Sequence, residues 1–273
     1  MKTLFMSIAL PIALVATSPT AHEVWIEPVQ WQVTQASTVQ AHIRNGEYFD
    51  GFDLTWNDKQ TLRSEAWAQD YMVEIVGRLG DRPALKTQAD AEGLLVLLHQ
   101  SDYRTVDYDD FSKFAAFLTE KGYESILTEH AKRRLPERQI KEAYARFSKS
   151  LVAVGDGEGL DAFRGLELEL VALTNPYTAP RNEPMVVQLY YEGAPLSNNK
   201  VTVFERAEDG IVNQIFLQTD AEGKSSFPIN AGMTYLVDSV VLREPSRDLV
   251  VKTRGAVWES LWASLTFKVP DNQ

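Results

Sequence analysis

Beyond Leu166 the chain is written almost entirely in period two. Leu166, Leu168 and Leu170 alternate with Glu167 and Glu169, and similar stretches follow at 185–191, 200–205, 215–219, 224–228, 235–242 and 261–269. Successive side chains of a strand point to opposite faces, so this pattern asks for sheets with one face buried. Asp220-Ala221-Glu222-Gly223 supplies a tight turn between two of the stretches. Short strands at this spacing predict an antiparallel sandwich of immunoglobulin-like topology over 166–270. Trp258 and Trp262 then read as strand core, and Glu167 with Glu169 as the solvated face of one strand.

The same period governs 22–106. Residues 23–27 alternate, and 38–43 place Val39, Ala41 and Ile43 on one face, which turns His42 to the other. Residues 71–76 and 94–98 are further strand candidates. The latter is a continuous apolar run suited to a buried position, closed by His99. Asn45-Gly46 and Asp50-Gly51 mark turns.

Between these regions the period changes to that of a helix. Asp109 or Asp110 can cap a helix carrying Phe111, Phe114, Ala115 and Leu118, and Gly122 can stop it. A second helix is expected to begin near Pro136, with Ile140, Ala143, Tyr144 and Phe147 on one face. Residues 107–153 are therefore predicted to form a helical hairpin, with Lys132, Arg133 and Arg134 solvated in its connection and His130 exposed beside them. Residues 154–165, acidic and rich in glycine, read as a linker. They lack the lysine of a phosphate-cradling loop and the carboxylate spacing of a calcium loop. The expected architecture is mainly β: two sandwich-type domains, 22–106 and 166–270, with the helical hairpin between them.

Composition narrows the partners. Lys and Arg number 27 against 38 Asp and Glu, for a formal net charge of −11, which opposes nucleic acid and anionic lipid and weakly concentrates cations. With no cysteine in the chain, a bound metal has to be held by His, carboxylate, Met or backbone groups.

Residues 1–21 have the layout of a signal peptide. Lys2 gives a positive start, 4–15 an apolar core interrupted by Ser7 and Pro11, and 17–21 a small or turn-forming end. No later apolar run is long enough to span a bilayer, so the expected product is periplasmic with no membrane span after leader removal. Pro19 stands where a small residue is usual. A cut after Ser18 would have Ala16 there but would leave Pro19 first, so cleavage after Ala21 is expected. His22 then leads the mature chain, and its α-amine and imidazole can chelate one metal ion.

Several stretches, taken together, resemble the DUF4198 family: Ala21-His22-Glu23-Val24-Trp25-Ile26-Glu27-Pro28, Asn45-Gly46-Glu47-Tyr48-Phe49-Asp50-Gly51, Phe114 with Leu118, and Tyr144-Ala145-Arg146-Phe147-Ser148-Lys149. Residues 168–177 with Asn175-Pro176, Gly193-Ala194-Pro195-Leu196, Thr219-Asp220 with Gly223, and 258–267 extend the likeness. The resemblance implies an exported bacterial protein, a periplasmic component associated with nickel or cobalt uptake, with His22 as the characteristic first mature residue. The carboxyl half is also similar to transthyretin-like and carboxypeptidase-regulatory-like sandwiches, modules that bind or brace. No catalytic residue transfers.

The resulting expectation is a non-enzymatic periplasmic metal-binding or metal-uptake accessory protein. His22, His42 and His99 are the candidate ligands, with His42 the preferred partner of His22 and Asp102 a helper of His99. Nitrogen-rich coordination suits nickel, cobalt or copper, and affinity order favours copper. A membrane transporter component is a candidate partner. Two alternatives stand beside this reading. One is a non-enzymatic envelope binding or assembly module, suggested by the strand edges and loops of the immunoglobulin-like half and by the six tryptophans; the other is a histidine-brace copper oxidase. For His42 itself the alternative to a ligand is an ordinary polar-face histidine. Neither Gly-x-Ser-x-Gly nor His-Glu-x-x-His occurs, which leaves acyl transfer and zinc proteolysis without a motif.

Overall fold

The computed structural model describes residues 22–180 and 182–271; the expected leader, 1–21, lies outside the described residues. The first strands are β1 (Glu23–Pro28), β2 (Gln32–Val33), β3 (Thr38–Glu47), β4 (Asp50–Leu54) and β5 (Thr61–Ala68). They are followed by β6 (Tyr71–Glu74), β7 (Leu85–Gln88), β8 (Gly93–Ser101) and β9 (Arg104–Tyr108). Helices α1 (Phe111–Lys121) and α2 (Ser125–Lys132) precede the long β10 (Ile140–Val154). Then come β11 (Leu168–Ala172), β12 (Met185–Tyr191), β13 (Ala194–Pro195), β14 (Lys200–Arg206), β15 (Val212–Gln218) and β16 (Lys224–Phe227). Strand β17 (Thr234–Arg243), helix α3 (Arg247–Thr253) and β18 (Trp258–Lys268) complete the order. Strand accounts for 49% and helix for 10%, so the chain is mainly β, as expected.

A ten-stranded sheet, β15-β14-β17-β18-β10-β8-β5-β6 with β2 and β9 also on β10, is the middle layer. On one face lies the sheet of β11, β12, β13 and β16, across a core that includes Leu94, Phe147, Leu168, Val187, Val237 and Leu265. On the other face the sheet of β1, β3, β4 and β7 packs at one end, through Ile26, Val39, Leu95 and Val152. The helices cover the far end, where Phe114, Phe117 and Leu118 meet Trp258 and Trp262. Period two explains the layering: Leu94, Val96 and Leu98 of β8 serve one core, and Leu95 and Leu97 serve the other. The apolar run 94–98 is therefore buried on both faces.

Helix α1 forms where the sequence places it. The Asp110 side chain accepts the Lys113 amide, and Gly122 closes the helix in the left-handed region at φ 81°. The second expected helix does not form. Residues 140–154 are instead a fifteen-residue strand at the centre of the ten-stranded sheet, parallel to β18 and antiparallel to β8 and β9. Helical spacing of Ile140, Ala143, Tyr144 and Phe147 is overridden because this stretch is covered on both faces, and pairing on both edges satisfies its backbone. Helix α2 lies earlier, and its His130 is buried, not exposed. Trp258 Nε1 donates to His130 Nδ1 at 3.0 Å, and Nε2 lies 3.0 Å from the Pro136 carbonyl. A tryptophan N–H can only donate, so the ring carries its proton on Nε2.

The stretch expected to be a linker is tied into the structure. Glu158 O accepts from Leu94 N at 2.7 Å, and Asp161 is buried against Lys149. The ten-stranded sheet draws strands from 22–106, 107–153 and 166–270 alike, so no sheet boundary falls at 154–165.

Candidate functional site

Among the described residues, strand β1 pairs with β3 along one edge only. Side chains of the middle sheet occupy carbonyls on its other edge: Arg146 Nη2 donates to His22 O (2.6 Å), Ser148 and Ser264 to Val24 O (3.0 and 2.7 Å), and Thr266 to Ile26 O (2.5 Å). Alternate residues of β10 thus dock the amino-terminal strand, which explains why so many buried positions of β10 and β18 are Ser or Thr. Lys121 fastens the same strand from helix α1, 2.6 Å from Glu23 and 3.5 Å from Asp238. Burial opposes the charge on Lys121, but Asp238, Glu23 and Glu120 outweigh it and hold its pKa above the ordinary lysine range.

Beside this docking line the sheet has a gap. Strand β9 pairs with β10 over 140–144 and β8 over 151–154; between them Arg146 N donates to Ser101 Oγ (2.9 Å) instead of to a backbone carbonyl. A cavity of about 510 Å³ borders this gap, lined by His22, His99, Ser101, Tyr144 and Arg146, with Val24, Ile43 and Leu54 as apolar wall. Thr61, at the bulge where β5 slips register against β8, lines it too.

His22 Nε2 lies 3.2 Å from Glu47 Oε1. His99 is buried, with Nε2 3.3 Å from Thr61 Oγ1 and, among the described residues, no partner for Nδ1. Burial lowers its pKa to about 4, so the imidazole is neutral at physiological pH. His42 goes elsewhere: it is one residue from Ile43 on β3, and Ile43 and Asn45 line the cavity, so alternation turns His42 to the opposite face. There its Nδ1 lies 3.0 Å from Asp53, beside a network joining Arg44, Glu27 and Arg206. His22 and His99 therefore line one cavity, and His42 lies apart from it. Asp102, expected to assist His99, instead accepts from Lys252 at 2.6 Å. Among the described residues, no three His, Asp or Glu side chains form a metal-holding group.

Sequence reasoning about the histidines missed Arg146. It is 4% exposed, with its guanidinium 4.5 Å from the Tyr144 ring centroid and 4.2 Å from that of Trp262. The signal was present: Glu142, Tyr144, Arg146, Ser148 and Ser150 form a period-two polar stripe that only a strand reading makes visible. Glu169, taken for a solvated residue, is also fully buried, and pairs with Lys149 at 3.0 Å.

The profile of a domain of unknown function, DUF4198, matches residues 20–242. The chain belongs to the DUF4198 family. The matched segment contains His22, His99 and Arg146 and every strand that borders the cavity. A search of curated proteins finds no match. Among solved structures, this DUF4198 chain is similar over 90% of its length to a tetra-tandem repeat from the extending region of a large adhesion protein, at 10% identity and a TM-score of 0.20. The chain spans about half (49%) of that structure. It is also similar to the D0-D1 domain of intimin, at 12% identity and TM-score 0.20, covering 89% of this chain and 97% of that one. Escherichia coli alpha-2-macroglobulin activated by porcine elastase gives 11% identity and TM-score 0.23, over 90% of this chain and 20% of that one. These likenesses are too distant to assign a topology or an activity. No helix among the described residues is long and apolar enough to cross a membrane.

Proposed function

We propose that this DUF4198 protein is an exported, non-enzymatic binding protein of the bacterial periplasm that takes a transition-metal ion at the cavity edge formed by His22 and His99, as an accessory to metal uptake. One observation carries the reading: two histidines distant in sequence line the same cavity, and burial keeps one of them in the neutral form that coordinates a metal. With the leader removed after Ala21, the α-amine of His22 adds a third nitrogen, a donor set suited to copper(II) or nickel(II). His42 has no part in this site. The order β15-β14-β17-β18 facing β11-β12-β16 supports an immunoglobulin-like carboxyl half, whose edge strands are available to a transporter or other envelope partner.

The test is intact mass of the exported protein followed by copper and nickel titration, in parallel with a form carrying one extra residue before His22 and with His99→Gln. One tight equivalent, weakened by both changes, supports the site. Binding unchanged by either, or a mature chain that does not begin at His22, overturns it.

A further inference from the structure

Among the described residues, Arg146 is a cation without a paired anion. Of its three guanidinium nitrogens, Nη2 donates to the His22 carbonyl, while Nε and Nη1 have no acceptor among the described residues. Buried donors left in this condition are rare, because each forfeits its hydrogen bonds to water without replacement. The acids near enough to act on its charge are engaged elsewhere. Glu142 accepts from Tyr108 and Ser260, and burial pushes its carboxyl up toward the neutral form. Glu23 and Asp238 belong to Lys121. Asp107, also on the cavity wall, has Lys141 at 4.0 Å.

A metal ion would not relieve Arg146, since a cation adds charge and accepts no hydrogen bond. Water could accept a bond but not balance the charge. An anionic oxygen does both. Around it the cavity offers Val24, Ile43 and Leu54, a surface poorly matched to a fully polar oxoanion but suited to hydrocarbon, within a volume ordinary for small-molecule sites. We propose that the cavity binds a small monocarboxylic acid, its carboxylate anchored by Arg146 and its apolar body against Val24, Ile43 and Leu54. The buried Nδ1 of His99, which has no partner among the described residues, provides a further polar contact in the same wall. This assignment shares its cavity with the metal reading but does not depend on a metal.

The experiment is calorimetric titration of the protein, stripped of metal on a chelating resin, with hexanoate and benzoate, and with 1-hexanol and inorganic phosphate as controls. One equivalent of acid is expected to bind and to raise the melting temperature, with the alcohol and phosphate much weaker. Arg146→Gln should weaken the acid roughly ten- to hundredfold, the equivalent of losing a charged hydrogen bond. Leu54→Trp, which fills the apolar end and leaves Arg146 intact, should do the same, and keeps the test open if the first variant misfolds. Absence of acid binding at millimolar concentration, equal binding of the alcohol, or equal binding of phosphate would each overturn the proposal. Because the titration is free of metal, its failure leaves the metal site standing, and failure of the metal site leaves this one standing.

Discussion

Arg146 and Lys149 stand three residues apart on β10, and both are cations that folding takes out of water, yet they end in opposite conditions. An odd separation sends them to opposite faces of the strand. Lys149 enters the core shared with β11 and finds three acceptors: Asp161 at 2.8 Å, Glu169 at 3.0 Å and the Ala162 carbonyl at 3.3 Å. Those carboxylates are themselves saturated, Asp161 by the amides of Ala162 and Ala172, Glu169 by those of Arg164 and Leu166. Arg146, on the face toward β1, has one carbonyl and two aromatic rings. A saturated buried cluster tells of architecture, because nothing further can bind to it. An unsaturated one beside a cavity tells of a ligand.

The strongest way to break this comparison is to remove the saturated cation. Lys149→Met should leave Asp161 and Glu169 buried without a counter-ion and cost about 3–5 kcal/mol. Urea denaturation would measure the loss. Adding Asp161→Asn and Glu169→Gln should restore part of it, since the charges would then leave together. A loss below about 1 kcal/mol, the range of exposed ion pairs, would mean that the cluster is hydrated and the contrast with Arg146 is false.

The cavity face has its own signature in pH. An unfolded histidine titrates near 6.5 and the folded His99 near 4, so between these values the unfolded chain binds the proton better. The His99 contribution is therefore complete above pH 6.5 and declines as pH falls toward 4, by on the order of 3 kcal/mol. Glu142 and Asp238, whose carboxyls are pushed up by burial, act in the opposite sense, so the effect has to be read as a difference between proteins. His99→Gln should be the less acid-sensitive of the two in urea unfolding between pH 7.5 and 4.5. Parallel profiles would show that His99 is solvated through the cavity.

The two faces were unequally legible in the sequence. Asp110 and Gly122 announce the ends of helix α1 because caps are local chemistry, the 38–43 strand follows from its period, and the 94–98 strand from a continuous apolar run. Strand β10 was lost because its apolar residues also fit a helix; what decides it is pairing with β18, more than a hundred residues away. Lys149 depends on partners that look like a linker residue, Asp161, and a solvated one, Glu169, and no local pattern reports that they are buried. For the site, His22 and His99 were visible as metal-binding residue types, and alternation already set His42 on the face away from Ile43. Arg146 was invisible as long as β10 was read as a helix.

His130 offers a hydrogen-bonded counterpart to the Lys149 cluster, with a smaller expected effect. Both of its ring nitrogens are used, one accepting from Trp258 and one facing the Pro136 carbonyl. Trp258→Phe keeps an aromatic ring against Phe114 but leaves Nδ1 buried without a donor, which should cost about 1–3 kcal/mol. His130→Leu combined with Trp258→Phe should cost less than the sum of the single changes, because no orphaned atom remains. Additive losses would place His130 outside the saturated class.

The sharpest use of the comparison predicts almost nothing. Arg146→Met keeps an extended side chain against Tyr144 and Trp262 and removes a buried charge that has no counter-ion among the described residues. The change forfeits one hydrogen bond to His22 O, at a carbonyl beside the cavity where water can replace it, and exchanges the guanidinium's contacts with the Tyr144 and Trp262 rings for thioether–aromatic ones. Net stability in the absence of ligand should therefore move by less than about 1 kcal/mol, or rise, as when buried charges yield to apolar residues of similar volume. Lys149→Met, three residues along the same strand, makes a similar chemical change with several times the effect. Should Arg146→Met prove as damaging as Lys149→Met, the guanidinium would be serving the fold through its grip on β1, and the missing acceptors would no longer argue for a ligand.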